Sequence, residues 1–320
     1  MTTNSNENLN FYNTDKKYNQ FSAYLKNKFG KKVYKITIDA GFSCPNRDGT
    51  ISTGGCIFCD DSGSFSQAHS NSLSVQQQIN AGVESLSQKF KAQKFMSYFQ
   101  AYSNTYKPVE ELKTIYDASL NHPDVVGLSI GTRPDCVDDE KLNLIASYTD
   151  SYETWLEYGL QSIHDKTLKF INRGHNYQTF VDAYKKSKER NIKVCAHVIL
   201  GLPEETREQM LDTAKALADL NIDGVKIHAL CVLENTLLSK MYQNNEIKLL
   251  DEDEYVNLVC DFLEILPRST TIQRLAGNGL QSEKIAPMWL NKKFEVLNKI
   301  DRELIRRSSA QGSKFMFAQK

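Results

Sequence analysis

The chain has 320 residues, 40% apolar and 24% charged, with 39 basic side chains balanced by 39 acidic ones. That size and apolar share suit one large α/β domain with a full core and exclude a disordered or collagen-like chain. No apolar run reaches membrane-spanning length, and seven cysteines behind a polar, leader-free start favour a reduced, cytoplasmic protein over a disulfide framework.

Residues 1–15 read as a disordered polar tail. Lys16 to Lys35 then carries seven lysines and no acidic residue. A first strand is predicted over 33–40, where β-branched and aromatic residues cluster. The loop after it, GFSCPNRDGTISTGGCIFC, holds Cys44, Cys56 and Cys59: a Cys-x-x-Cys preceded, with eleven residues between, by a third cysteine. Pro45, Gly49, Gly54 and Gly55 allow tight turns that bring three thiolates to one centre. A structural zinc or an electron-transfer cluster takes four protein ligands. A 4Fe-4S cluster on three cysteines leaves one iron open. In the zinc alternative, Cys136, Cys195, Cys231, Cys260 or His69 supplies the fourth ligand, although only one paired-ligand knuckle is present.

Strands and amphipathic helices alternate from there. Helices are predicted at 75–92, 108–121, 138–147, 177–190 and 206–220. Strands are predicted at 95–102, 125–131, 153–161, 192–200 and 223–231, with a possible seventh at 270–275. Alternation of this kind gives a parallel sheet with right-handed crossovers, and six strands give a partial, open barrel. Strand two ends at Gln100, Ser103, Asn104 and Thr105. Strand three ends in Gly131-Thr-Arg-Pro-Asp135, which puts Arg133 where barrel chemistry is placed, to meet a carboxylate or phosphate or to form an internal salt bridge. On strand four, Trp155, Glu157, Gly159 and Gln161 share one face. Arg173 follows in Asn172-Arg-Gly-His175. His197 lies on strand five, and Lys226 and His228 share a face of strand six. A last helix is predicted from Met288 to Arg307, within a second basic stretch of eight Lys/Arg against three acids from Lys292 to Lys320. Two basic ends on an acidic body suit a phosphate-rich partner, or are simply solvated helix faces.

The motifs YNQFSAYLKNKFGKKVYKITIDAGFSCPNRDGT, GGCIFC, YFQAYSNTY, GTRPDC, EYGLQS, NRGH and HVILGLP occur in that order. Together they resemble the radical S-adenosylmethionine (SAM) superfamily. The cysteine spacing departs from its commonest form, with three and then two intervening residues, and is similar to that of elongator-type domains. Over nearly the whole chain the pattern is similar to the bacterial YtqA/MnmL-like subgroup.

The resemblance implies a partial (β/α)6 TIM-like radical SAM barrel over 16–280 with a C-terminal helical extension over 281–320. It implies a 4Fe-4S cluster on Cys44, Cys56 and Cys59, whose open iron binds the amino and carboxylate groups of SAM, and one-electron cleavage of SAM to a 5′-deoxyadenosyl radical. Glu157 and Gln161 would then meet the ribose, unless Glu157 pairs with a lumen cation such as Lys226. The family's Gly-Gly-Glu is missing, so Gln100 or Asn104 would replace it, with strand-end capping as the competing role. Leu200-Gly-Leu-Pro203 would border the adenine, with Glu204 where a glycine is usual. Arg173 is a further cofactor-binding candidate, and Arg133, Lys226 and His228 are the catalytic candidates. The implied substrate is tRNA, at the step from 5-carboxymethylaminomethyl- to 5-aminomethyl-2-thiouridine, with an electron donor such as flavodoxin or ferredoxin. Two alternatives are radical chemistry on a free metabolite and a non-catalytic zinc-binding RNA-binding protein.

Overall fold

A computed structural model of the chain describes residues 11, 12, 14–60, 73–277 and 284–315. His69 and most of the tail expected over residues 1–15 lie outside these residues.

Helix α1 (Phe21–Phe29) leads into β1 (Val33–Ile38), and α2 (Val75–Phe90) carries the chain to β2 (Lys94–Phe99). The units α3 (Val109–Leu120) with β3 (Val125–Thr132) and α4 (Asp139–Ala146) with β4 (Glu153–Gln161) follow. Next come α5 (Asp165–Phe170), α6 (Tyr177–Lys188), β5 (Lys193–Leu200), α7 (Arg207–Asp219) and β6 (Gly224–Ala229). A short β7 (Val232–Leu233), α8 (Leu237–Gln243) and α9 (Glu252–Ile265) precede β8 (Thr271–Arg274). The chain closes with β9 (Lys284–Ala286) and α10 (Lys293–Arg306).

The sheet order is β1-β2-β3-β4-β5-β6-β8, every neighbour parallel, so the segment 270–275 does supply a seventh strand. Helix starts are written locally. Ser74 with Gln77, Thr206 with Gln209 and Asp251 with Glu254 form capping boxes that satisfy the first orphan N–H groups of α2, α7 and α9.

Strand alternation divides the side chains into two sets. Ile36, Ile38, Leu128, Ile130, Leu156, Tyr158 and Val194 belong to the large core shared with the helices. The opposite set faces the barrel lumen, and its lower layer is apolar. Phe21 and Leu25 of α1 pack there with Met96, Trp155 and Cys195, and the Phe21 and Trp155 rings meet edge to face at 5.2 Å. The segment before α1 also pairs with β8: Ile272 N donates to Asn19 O at 2.7 Å. Both the lower mouth and part of one open edge are thereby covered. Helix α10 buries Val296, Ile300 and Leu304 in the same core as the barrel. Each such side chain contributes on the order of 1.5–3 kcal/mol. Among the described residues no helix is long and apolar enough to cross a membrane.

Candidate functional site

The cysteine loop leaves the C-terminal end of β1 and is fixed mostly by its own backbone. Arg47 N and Asp48 N donate to Cys44 O, Gly55 N to Asn46 O, and Cys59 N to Cys56 O. Gly54 and Gly55 take φ of +83° and +77°, a region where a side chain would be strained. A second loop latches it from across the barrel. Asn46 Nδ2 donates to Asn172 O at 2.6 Å, Asn172 Nδ2 to Gly55 O at 2.7 Å, and Ile57 N to Ile171 O at 3.1 Å. Gly174, at φ +78°, allows this approach; a Cβ there would stand 2.6 Å from Asn46 Oδ1.

Cys44, Cys56 and Cys59 all border one cavity of about 720 Å³ at the open end of the barrel, a size suited to a small cofactor or substrate. Among the described residues seven cationic side chains line it, Lys35, Arg47, Arg133, Arg173, Lys226, Arg274 and Lys293, against two acids, Asp60 and Glu157.

Under the thiols lies a buried polar layer. Glu157 accepts from Lys35 Nζ at 2.7 Å, from His197 Nε2 at 2.8 Å, and from Ser129 Oγ and Lys226 Nζ. Burial works to raise this carboxyl, but the charges of Lys226 and Lys35 outweigh it and hold Glu157 well below the carboxylate range. Burial in turn lowers both lysines, and Glu157 opposes that. Burial and then the Lys226 charge push His197 down to about 4, so it stands neutral and donates through Nε2.

The expected residues divide. Gln100, Arg133, Glu157, Gln161, Arg173, Lys226 and His228 all border the cavity. Gln161 is the residue at which β4 slips register and takes φ +73°, and no hydrogen-bond partner engages its side chain among the described residues. Bulges and positive φ of this kind re-aim a side chain at a site. Arg173 donates to Gly159 O through Nε (3.1 Å) and Nη2 (2.6 Å), and its Nη1 stands 3.6 Å from Cys56 Sγ. Gly159 makes room for it, since a Cβ there would lie 2.5 Å from Nη2.

Three expectations shift. Glu157 shows the pairing with Lys226, the alternative to a ribose contact, and is engaged by four protein partners. Asn104 does not border the cavity. Its Nδ2 donates to Gly131 O at 2.7 Å and its backbone carbonyl accepts from Tyr116 Oη, which is the strand-end role. Arg133 makes the internal bidentate pair with Asp135 at 2.8 and 2.6 Å, with Nη1 left unpartnered among the described residues. The Leu200–Pro203 turn contributes Leu202 to an apolar cluster with Ile57, and Glu204 keeps the left-handed φ, +65°, that a glycine would take.

Sequence reasoning missed Lys35, Arg274, Lys293 and the Asn46–Asn172 latch. Lys35 had a signal: in Val33-Tyr-Lys-Ile-Thr-Ile38 it alternates with Ile36 and Ile38, which face the helices. Arg274 and Lys293 had none, because β8 and α10 bring them to the same cavity only in the folded chain.

The donor set fits a cluster held by three thiolates. All three thiols come from one loop and border one cavity, and Cys56 Sγ has side-chain N–H groups of Arg173 and Asn46 at 3.6 and 3.7 Å. Burial and then the neighbouring Cys56 push the Cys59 thiol up to about 12, and a bound cationic centre reverses that preference. Among the described residues no three His, Cys, Asp or Glu side chains close around a point as they would around a single ion.

Comparison with known proteins extends this. Residues 48–217 match the radical SAM superfamily and residues 222–306 the radical SAM C-terminal domain. The protein YtqA of Bacillus subtilis is 42% identical over 305 residues, 95% of each chain. A tRNA uridine(34) acetyltransferase of Methanocaldococcus infernus is 30% identical over 174 residues, 52% of this chain and 32% of that one. The solved structure of Elp3 from the same archaeon, lacking its N-terminus, shares the fold, with a TM-score of 0.66 at 18% identity over 87% of this chain and 64% of that one. The superfamily match begins inside the cysteine loop and runs into α7, across β2 to β5, and on that ground this chain belongs to the radical SAM superfamily and is a SAM-dependent enzyme.

Proposed function

We propose that the chain modifies the wobble uridine of tRNA, converting 5-carboxymethylaminomethyl-2-thiouridine to 5-aminomethyl-2-thiouridine in the cytoplasm, with electrons from a flavodoxin or ferredoxin. The observation that carries this is the cavity itself, with three thiols at one side and a strong excess of cationic side chains on its walls, which suits a substrate bearing negative charge. Kinship to an enzyme named for tRNA uridine(34) supports the choice of substrate.

Bound on Cys44, Cys56 and Cys59, the 4Fe-4S cluster and SAM supply hydrogen-atom abstraction. The chain's own residues supply position and exclusion. Arg173 sets a charge beside Cys56, while Gln161 and Gln100 offer polar groups to SAM. Glu157 holds Lys35, Lys226 and His197 in a fixed arrangement beneath the substrate, and the apolar layer at Trp155 closes the lumen from below.

A second reading, a free small metabolite, is favoured by one observation. The C-terminal basic stretch is largely spent on internal pairs: Arg307 meets Glu303 and Asp261, Arg306 meets Glu303, and Lys299 meets Glu252 and Asp253. A nucleoside profile of tRNA from a strain lacking the gene separates the two. The tRNA reading expects 5-carboxymethylaminomethyl-2-thiouridine to accumulate, and an unchanged profile would promote the metabolite.

A further inference from the structure

Among the described residues the cavity wall carries more cations than anions. Lys35 and Lys226 share the single carboxylate of Glu157. Beside Lys226, in register on the next strand, stands Arg274. It borders the cavity, and among the described residues no hydrogen bond or ion pair engages its guanidinium. Lys293, at the start of α10, borders the same cavity and is likewise unpaired among the described residues. Burial, and after it the charge of Arg274, lowers Lys293, which places the two cations within each other's field. The wall they share holds two further buried polar atoms without partners among the described residues, His228 Nε2 and Gln273 Nε2. Unpaired cations gathered in a recess are costly unless an anion joins them.

The source of that anion follows from position. Residues 48–217, which match the superfamily at large, hold Cys56, Cys59, Gln161 and Arg173, with Cys44 four residues ahead of the match. Arg274 and Lys293 lie outside that match, in the C-terminal domain, on strand β8 and helix α10. Groups serving the shared cofactor are expected in the shared part, and groups serving this chain's own substrate in the other. Resting on the tRNA reading above, we infer that Arg274 and Lys293 form a substrate oxyanion subsite, which receives the carboxylate of the carboxymethylaminomethyl group. A fork of N–H donors beside an ammonium is suited to a planar carboxylate. The subsite then selects substrate over product, because the product lacks that group.

The test compares wild type, Arg274→Gln and Lys293→Gln, each loaded anaerobically with cluster and SAM. Two ligands are titrated: tRNA carrying the carboxymethylaminomethyl group and the same tRNA carrying aminomethyl only. Wild type should prefer the first by at least about tenfold, as expected for a lost charged hydrogen-bond pair. Both variants should lose that preference while binding SAM and the aminomethyl tRNA as wild type does. Preference retained in both variants, or SAM affinity falling with them, overturns the inference; the latter result would give the pair to SAM's own carboxylate. Equal binding of both tRNAs by wild type, weakened together in the variants, means the pair holds an RNA phosphate and overturns the carboxylate assignment. If wild type binds neither tRNA, the functional reading fails separately. Inorganic phosphate raising the melting temperature of wild type but of neither variant then still supports an oxyanion subsite, and equal shifts in all three refute it.

Discussion

Arg173 and Cys56 meet across the barrel: the Nη1 of one stands 3.6 Å from the Sγ of the other, while Nε and Nη2 are held by Gly159 O. Hydrogen bonds to cluster sulfurs raise reduction potentials, because they stabilise added negative charge. In Arg173→Gln the loaded protein should keep its iron but show a more negative midpoint in a redox titration followed by electron paramagnetic resonance. Gly159→Ala should act the same way, since its methyl group would displace the guanidinium. An unchanged midpoint in both variants would leave Arg173 a purely structural role.

The ligand set makes a sharper prediction. Ala at Cys44, Cys56 or Cys59 should abolish iron retention and SAM cleavage. Ala at Cys136, Cys195 or Cys260 should not, since these are buried and do not border the cavity. Cys231 borders the cavity from the strand β6–β7 side, so Cys231→Ala is the informative control. Iron loss there, with the fold intact, would reveal a fourth ligand.

Glu157 balances two buried lysines. Replacing it by Gln leaves Lys35 and Lys226 uncompensated, at a cost of about 3–5 kcal/mol, as for one partner removed from a buried pair. The double change Glu157→Gln with Lys226→Met should recover part of that loss in a denaturant titration. Full additivity of the two changes would mean the pair is not coupled as its geometry indicates.

Acid should weaken the fold earlier than carboxylates alone would. His197 sits at about 4 in the folded chain, against about 6.5 when unfolded. Between those values the unfolded chain binds the extra proton, so stability falls as pH drops through 6.5. From pH 7 to pH 5 this one residue accounts for about 2 kcal/mol. His228, lowered by burial and by Arg274, adds in the same direction. His197→Gln keeps a donor for Glu157 but cannot titrate, and its stability should fall less over that interval. Equal pH dependence in variant and wild type would assign the acid loss elsewhere.

Much of this was legible in the chain. The alternation of Trp155, Glu157, Gly159 and Gln161 put them on one face, and the structure places that face in the lumen. The alternation of strands and helices also pointed to a parallel sheet, which the structure shows. What stayed hidden were groups brought together by tertiary closure. Asn104 reads as a polar residue at a strand end whether it binds a ligand or caps Gly131, and local pattern does not separate the two. The C-terminal basic residues read as an open surface, but Arg307 is engaged by Glu303 on its own helix and Asp261 on α9. Arg307→Ala should therefore cost about 1–3 kcal/mol of stability, measurable by thermal melting, and leave the salt dependence of tRNA binding nearly unchanged. A clear drop in that salt dependence would return the residue to the RNA surface.

The most direct measurement is turnover on defined RNA. Protein loaded with cluster and SAM is reduced anaerobically with tRNA bearing 5-carboxymethylaminomethyl-2-thiouridine, and the nucleosides are read by mass spectrometry. The account predicts 5-aminomethyl-2-thiouridine from wild type and none from Cys56→Ala. Robust SAM cleavage by the wild-type protein with the starting nucleoside left intact would contradict it.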